Sequence, residues 1–227
     1  MKKLNYLTFI FAILILTISF NAPSYSFELK NPADALKKLK GNSSGGAKFD
    51  FKNANTDLVR TFFESSNNYL QAQEYLLIAY GKNTEAAQVK EAIAYAKDAG
   101  VDNAKKLMNS IQVSTDASKA IESSMGDESF QLTAEGKASF AQSLPFLLKG
   151  VMGTIQLKPQ TQAMMSNIQG NPMAALKELG GLTKVIPNVP KYIATLTSTT
   201  KLVISGAKAK KIEGSNSLDK AMSDLTL

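Results

Sequence analysis

The chain has 227 residues, of which 44% are hydrophobic and 20% are charged, and its formal net charge is +7. It contains no cysteine and no histidine, which excludes thiol nucleophiles, disulfides, zinc or haem sites built on these side chains, and histidine-based acid–base catalysis. Arg60 is the only arginine among 26 basic residues. Because recognition of phosphates and bases favours the arginine fork, we expect no nucleic-acid partner.

The first 26 residues have the pattern of a secretory signal peptide. Two lysines precede an apolar run from Leu7 to Phe20, which is shorter than the roughly 20 residues that span a bilayer. Small residues at Ser24 and Ser26 predict cleavage before Phe27. The alternative is an uncleaved N-terminal anchor. We therefore expect the mature protein to be periplasmic or secreted.

Residues 27–48 are expected to form a short helix followed by a flexible linker. Segment 31–41 reads NPADALKKLKG, with Asn31 as the N-cap, Pro32 at the first helical position and Gly41 as the terminator. The sequence GNSSGG at 41–46 is typical of a linker. Segment 171–181, NPMAALKELGG, matches the first segment at seven of eleven positions. A duplicated unit is one explanation, but we favour two short helices with the same capping residues.

Residues 49–212 are expected to form one helical domain, and its first half shows the clearer pattern. Apolar residues recur at three- and four-residue steps from about 55 to 80, which predicts a long amphipathic helix. Further helices are predicted from 83 or 84 to 99 and from 102 to 125, each beginning at a capping residue and ending at a glycine. The connections are too short for anything but antiparallel or sharply turned neighbours.

The second half is rich in proline and glycine. The segment 140–157 is apolar on nearly every side and carries Pro145, Gly150 and Gly153, and short helices at about 160–169 and 172–179 precede a longer one at 190–211. We expect residues 213–227 to be a frayed tail. The predicted fold class is therefore all-α, an antiparallel helical bundle with kinked C-terminal helices broken at proline and glycine.

Residues 144–157 are the candidate functional segment. They form either a buried central helix, the lining of an apolar ligand cavity, or a hairpin that enters membranes; we favour the buried helix. The candidate residues for an apolar ligand or a membrane segment are Phe146, Leu147, Leu148, Val151, Met152, Ile155, Met164 and Met165.

Two further clusters have a functional and a structural explanation. Met152, Met164, Met165 and Met173 have thioethers that could hold Cu(I), but without histidine, cysteine or a repeated Met-x-x-Met spacing we favour packing and expect no cofactor. Five aromatic residues lie between 62 and 80, where they either anchor the core or, as the minority explanation, form a ligand-stacking platform.

The sequence predicts a non-catalytic function. Ser-x-x-Lys occurs twice, at 205–208 and 217–220, but neither copy lies at a buried helix start, and no glycine-rich phosphate loop is present. We expect an exported helical protein that binds a protein partner of the cell envelope or an apolar, lipid-like ligand. The alternative is a membrane-active helical protein, since the net positive charge permits weak contact with an anionic membrane surface.

Overall fold

The computed structural model of the chain describes residues 49–127 and 130–226. The predicted signal peptide (1–26) and the predicted helix and linker (27–48) lie outside the described residues, so both stay predictions. All regular structure in the described part is helical, which confirms the predicted all-α class.

The first helix, α1, spans Phe51–Ala79 and lies at the centre of the bundle, where it packs against four other helices. It begins four residues earlier than its apolar period predicts because the Asp50 side chain accepts a hydrogen bond from the backbone N–H of Asn53 and so caps the helix. Its fully buried side chains include Leu58, Phe62, Leu70, Leu76 and Leu77. These residues supply the middle of the hydrophobic core.

Two helices then fold back along α1. The chain turns at Gly81, whose φ of 70° lies in the left-handed region that glycine adopts without strain. Helix α2 spans Asn83–Lys97 and α3 spans Asn103–Met125. The Asp102 side chain caps α3 by accepting hydrogen bonds from the backbone N–H groups of Ala104 and Lys105. The predicted three-helix unit is confirmed, with its ends within a few residues of the expected ones.

The fourth helix, α4, is a single helix from Ala134 to Gly170 and contains both Pro145 and Pro159. The prediction of a separate short helix at 160–169 is therefore wrong. Pro145 lies on an exposed side of the helix, where water can bond the carbonyl group that proline leaves without a donor. Packing against α1 over much of its length holds α4 together across both prolines.

The predicted breaks do occur after α4. Helix α5 spans Pro172–Leu179, with the Asn171 side chain as its cap and Gly180 at a φ of 52° as its end. A short α6 (Leu182–Val185) and a 3₁₀ turn (Ile186–Asn188) lead into α7, which spans Val189–Ala209. The Asn171 cap and Gly180 thus set the two ends of α5, as the sequence predicts.

The C-terminal residues form a further helix, α8, at Ser215–Thr226. The prediction that 213–227 frays is therefore wrong. Leu218 is only 1% exposed and Met222 only 4%, and α8 packs against α4 and α7. Lys208 of α7 also pairs with Asp219. Apolar residues at four-residue spacing give this short segment a face to bury.

Candidate functional site

The eight candidate residues of the second half all lie on α4, and the structure places most of their surface against the core. Leu147, Val151 and Met164 are buried. The half-buried ones are Phe146, Leu148, Met152, Ile155 and Met165. Four of these five pack against the hydrophobic core, and Met152 is half-buried without being part of that set.

Helices α4 and α1 are in close contact where they cross. A Cβ atom at Gly153 would lie 2.7 Å from Ser65 Cβ, and one at Gly150 would lie 2.8 Å from the ring of Tyr69. Ser65 Oγ donates a hydrogen bond of 2.9 Å to the carbonyl oxygen of Gly150 and lies 3.1 Å from Thr154 Oγ1. The two helix backbones are thus close enough to bond through a single short side chain, which leaves no room for a ligand at this crossing.

A buried polar seam joins α1 to α3. Gln73 Nε2 donates to the carbonyl oxygen of Ser114 (2.8 Å) and to Ser118 Oγ (2.9 Å), while Ser114 Oγ donates to Gln73 Oε1 (2.8 Å). Each polar atom of the Gln73 amide group therefore has a partner, as a buried amide requires. Serines 110, 114 and 118 recur every fourth residue on α3 and are fully buried. The seam fixes the register of α3 on α1.

Two buried tyrosines extend this seam. Burial raises the pKa of Tyr69 to about 12, and the nearby hydroxyl groups of Thr154 and Thr200 offset part of the rise. Burial likewise raises the pKa of Tyr192 well above its ordinary value; the Ser114 hydroxyl opposes this rise and Tyr69 adds to it. Neither phenol oxygen reaches a hydrogen bond of standard geometry within the described residues. Both phenols stay neutral at physiological pH and fill the core.

The aromatic residues of α1 contact other core rings. Phe62 lies 5.5 Å from Tyr192 between ring centroids, and Tyr80 lies 5.4 Å from Phe130. Tyr75 stacks on Phe146 of α4 at 5.7 Å with an interplanar angle of 15°. These pairs join α1 to its neighbours and support the interpretation of the aromatic residues as core anchors.

The methionines that are close in sequence have different surroundings. Met164 is buried on α4, whereas Met173 on α5 is 76% exposed. Among the described residues there is also no group of three or more acidic side chains placed to hold a metal ion.

A groove with a volume of about 430 Å³ lies between α2 and α3. Its apolar lining comes from Val89, Ala92, Tyr95, Val113 and Ala117. Three of these side chains are buried, but Tyr95 at the rim is 36% exposed. The apolar surface that a partner can reach without rearrangement of the bundle therefore comes from Tyr95 and the half-buried Val113.

Acidic side chains border this groove on both walls. Glu85 and Glu91 line it from α2, and Asp116 lines it from α3. Asp116 pairs with Lys119 at 3.3 Å, but neither glutamate has an ion pair or hydrogen bond among the described residues. We call this surface the acidic groove. It is a local concentration of negative charge on a chain whose net charge is +7.

The acidic groove also contains an unused hydrogen-bond acceptor. Asn109 lines the groove, and its Oδ1 atom is buried without a hydrogen-bond partner in the described part of the chain. A carbonyl oxygen in this position favours an occupant that carries N–H donors.

A second groove, of about 550 Å³, lies where the described chain begins. Residues of both signs line it, including Asp50, Lys52 and Glu178. Asp50 is already bonded to the backbone and side chain of Asn53. This second groove therefore offers less uncompensated charge than the acidic groove.

None of the eight candidate residues lines either groove. The residues of the acidic groove had no distinguishing signal in the sequence, because its acids lie on exposed helix faces and the two walls are separated along the chain. Taken alone, the sequence of α2, including Tyr95, resembles that of an ordinary solvent-exposed helix. Their grouping becomes visible only when α3 is folded beside α2.

No helix in the described part of the chain combines the length and the apolar character that a membrane crossing requires.

Comparisons with protein-family models, with curated proteins and with solved structures find no match to this chain.

Proposed function

We propose that this chain is an exported, non-catalytic binding protein that engages a segment of a partner protein in the acidic groove. The observation that carries the proposal is that Glu85 and Glu91, which form no ion pair among the described residues, lie beside the accessible apolar side chains of Tyr95 and Val113. Carboxylates without partners on a basic chain attract cations from solution and steer them towards the groove.

The chemistry of the groove defines the partner. An amphipathic segment can place apolar side chains on Tyr95 and Val113, the accessible apolar residues of the groove, while its lysines reach the carboxylates on the two walls. The lysine ammonium group has three N–H donors and can also bond the Asn109 carbonyl oxygen. We therefore propose a lysine-bearing amphipathic segment as the ligand class.

A lipid-like ligand between the helices has less support. The eight residues considered for such a site belong to α4, and the α1–α4 crossing is filled to the point that a Cβ atom at Gly153 would clash. Export and the absence of catalysis remain part of the proposal, supported by the signal-like residues 1–26 and by the lack of cysteine and histidine. The N-terminal sequence of the exported protein is expected to begin at or near Phe27.

The binding proposal is tested with a fluorescently labelled peptide of leucine and lysine, designed as an amphipathic helix, and the mature chain. The variant Glu85→Gln/Glu91→Gln should weaken binding about fivefold, since two exposed ion pairs contribute about 0.5 kcal/mol each. Fluorescence anisotropy at low ionic strength measures the difference.

The matched control is Glu178→Gln/Glu213→Gln, which removes the same charge from two other exposed positions. This control should bind the peptide as the unmodified chain does. Equal weakening in both double variants would show that the peptide responds to net charge alone, and the acidic groove would then not be the binding surface.

A further inference from the structure

We propose that the outer face of α7, together with the turn that follows it, docks on the surface of a membrane that contains anionic lipids. We call this surface the lysine face, and its residues are Lys191, Lys201, Leu202, Lys208, Lys210 and Lys211. All of them are exposed except the half-buried Lys210. The lysine face shares no residue with the acidic groove, so it is independent of the binding function proposed above.

The first observation is an uneven division of charge along the described chain. Residues 49–127, which contain α1, α2 and α3, have eleven acidic and eight basic residues. Residues 136–212, which contain most of α4 and all of α5, α6 and α7, have ten lysines and a single acidic residue, Glu178. Many charges of one sign produce a field that attracts an anionic surface.

The second observation is the placement of the lysines along one helix. Lys201 and Lys208 are seven residues apart, which puts them on the same side of α7 two turns from each other. Lys191 lies about 26 Å from Lys208 along the helix axis, at 1.5 Å per residue. On the opposite side of α7, Val203 and Ala207 are fully buried. Packing against the bundle therefore holds the lysines outwards over most of the helix.

The third observation is how little of this charge is neutralised. Lys208 pairs with Asp219 of α8, whereas the other four lysines of the face form no ion pair among the described residues. Glu122 of α3 faces α7 but accepts a hydrogen bond of 2.9 Å from Thr199. Glu213, which is exposed, follows the lysine face in the chain. The lysine face thus keeps most of its positive charge.

The helix dipole explains only part of this arrangement. It favours cations in the last turn of a helix, where Lys208 lies. Lys191, however, lies in the first turn, where the dipole disfavours a cation, and Lys201 lies in the interior of the helix. A requirement for positive charge along the whole face accounts for all three positions.

A membrane fits the lysine face better than a nucleic acid or an acidic protein does. No arginine lies in 136–212, so the fork that recognises phosphates and bases is missing. None of the lysine-face residues lines either groove described above, which favours a broad partner over a peptide held in a cleft. Leu202, which is 36% exposed, follows Lys201 and can enter the headgroup region while the lysines contact lipid phosphates.

The contact is tested by sedimentation of the mature chain with phosphatidylcholine vesicles, with or without phosphatidylglycerol, in about 0.1 M salt, where the Debye length is about 10 Å. We expect binding only to the vesicles that contain phosphatidylglycerol. The variant Lys191→Gln/Lys201→Gln/Lys211→Gln should lower the partition coefficient about a hundredfold, because each lysine at an anionic surface contributes a factor of about five.

The matched control is Lys82→Gln/Lys90→Gln/Lys97→Gln, which removes the same charge from exposed positions on or beside α2. Helix α2 packs mainly against α1 and α3. This control should lower the partition coefficient by less than about threefold, because charges beyond a Debye length are largely screened. Equal losses in the two triple variants, both folded by circular dichroism, would show that net charge alone drives binding and would overturn the proposal.

A single tryptophan reports which surface faces the lipid. The chain has no tryptophan, and Leu202 and Tyr95 are both 36% exposed, so Leu202→Trp and Tyr95→Trp are matched reporters. Anionic vesicles should shift the emission of the Leu202→Trp chain to shorter wavelengths and leave that of the Tyr95→Trp chain unchanged. Equal shifts, or a shift in the Tyr95→Trp chain alone, would place the contact elsewhere and overturn the proposal.

Two further measurements separate this surface from other partners. Binding to polyglutamate without binding to anionic vesicles would assign the lysine face to an acidic protein and overturn the membrane proposal. The variant Glu85→Gln/Glu91→Gln should bind anionic vesicles at least as well as the unmodified chain, whether or not the acidic groove binds its peptide. Weaker vesicle binding by this variant would contradict the independence of the two surfaces.

Discussion

The crossing of α1 with α4 and the pairing of α2 with α3 bring helices together in opposite ways. At the crossing, Gly150 and Gly153 have no side chains, so the backbones approach until Ser65 bonds directly to the Gly150 carbonyl oxygen. Between α2 and α3, valines and acidic side chains face one another across a groove of about 430 Å³. The α1–α4 crossing leaves no space for a ligand, whereas the α2–α3 pairing leaves an accessible surface.

The comparison teaches that an apolar segment does not by itself provide an accessible apolar surface. Residues 144–157 attract attention because they are apolar on nearly every side, yet their buried members, such as Leu147 and Val151, have no solvent-facing surface to offer. The groove lies between two helices of ordinary polarity. An apolar run predicts burial, whereas binding surfaces arise where packing is incomplete.

The largest loss of stability is expected from a substitution at Leu77, which tests whether the interior is filled. This side chain is fully buried on α1, so Leu77→Ala should lower the free energy of unfolding by about 2–5 kcal/mol through lost transfer energy and a residual cavity. Lys82→Ala, at an exposed position beside the α1–α2 turn, should change it by less than about 0.5 kcal/mol. Urea unfolding measures both. Equal midpoints would mean that the buried face of α1 is wrongly assigned.

A smaller effect would sharpen the description of the α1–α4 crossing. Gly153→Ala places a Cβ atom 2.7 Å from Ser65 Cβ, so it should cost about 1–3 kcal/mol as the helices move apart. Gly170→Ala is the matched control, because a Cβ atom there meets nothing within 4 Å and alanine favours the helix by up to about 1 kcal/mol. Gly153→Ala should lower the melting temperature and Gly170→Ala should raise it, which thermal unfolding measures. A stabilising Gly153→Ala would refute the close crossing.

The smallest effect is expected when the protein is mixed with lipid vesicles. If residues 144–157 stay in the interior, the unmodified mature chain should cause no dye leakage from vesicles that contain anionic lipid. Leu148 is half-buried against the core, and Leu148→Asp should only lower the stability of the fold, which circular dichroism would report. Leakage by the unmodified chain that a folded Leu148→Asp variant abolishes would instead support the membrane-active alternative.

Most of the helix ends could be predicted from the residues at or next to them. Asp102 caps α3, Asn171 caps α5, and Gly81 and Gly180 adopt the left-handed conformation that ends a helix. These features depend on residues within one turn of each other, so they are encoded next to the position that they control. The same local reasoning failed at Pro159 and at the C-terminal tail. There, packing of α4 on α1 outweighs a proline inside the helix, and burial of Leu218 holds the last helix against the bundle.

The sequence by itself determined the helical class, the existence and approximate ends of α1, α2 and α3, and the apolar character of α4. Only the tertiary structure decided which apolar surfaces are closed and which remain open. Ser65 and Gly150 are separated by 85 residues, and Gln73 is separated from Ser114 by 41. A capping residue or an apolar period acts over one or two helical turns, whereas the filled crossing and the acidic groove each depend on the shape of side chains brought together from distant parts of the chain.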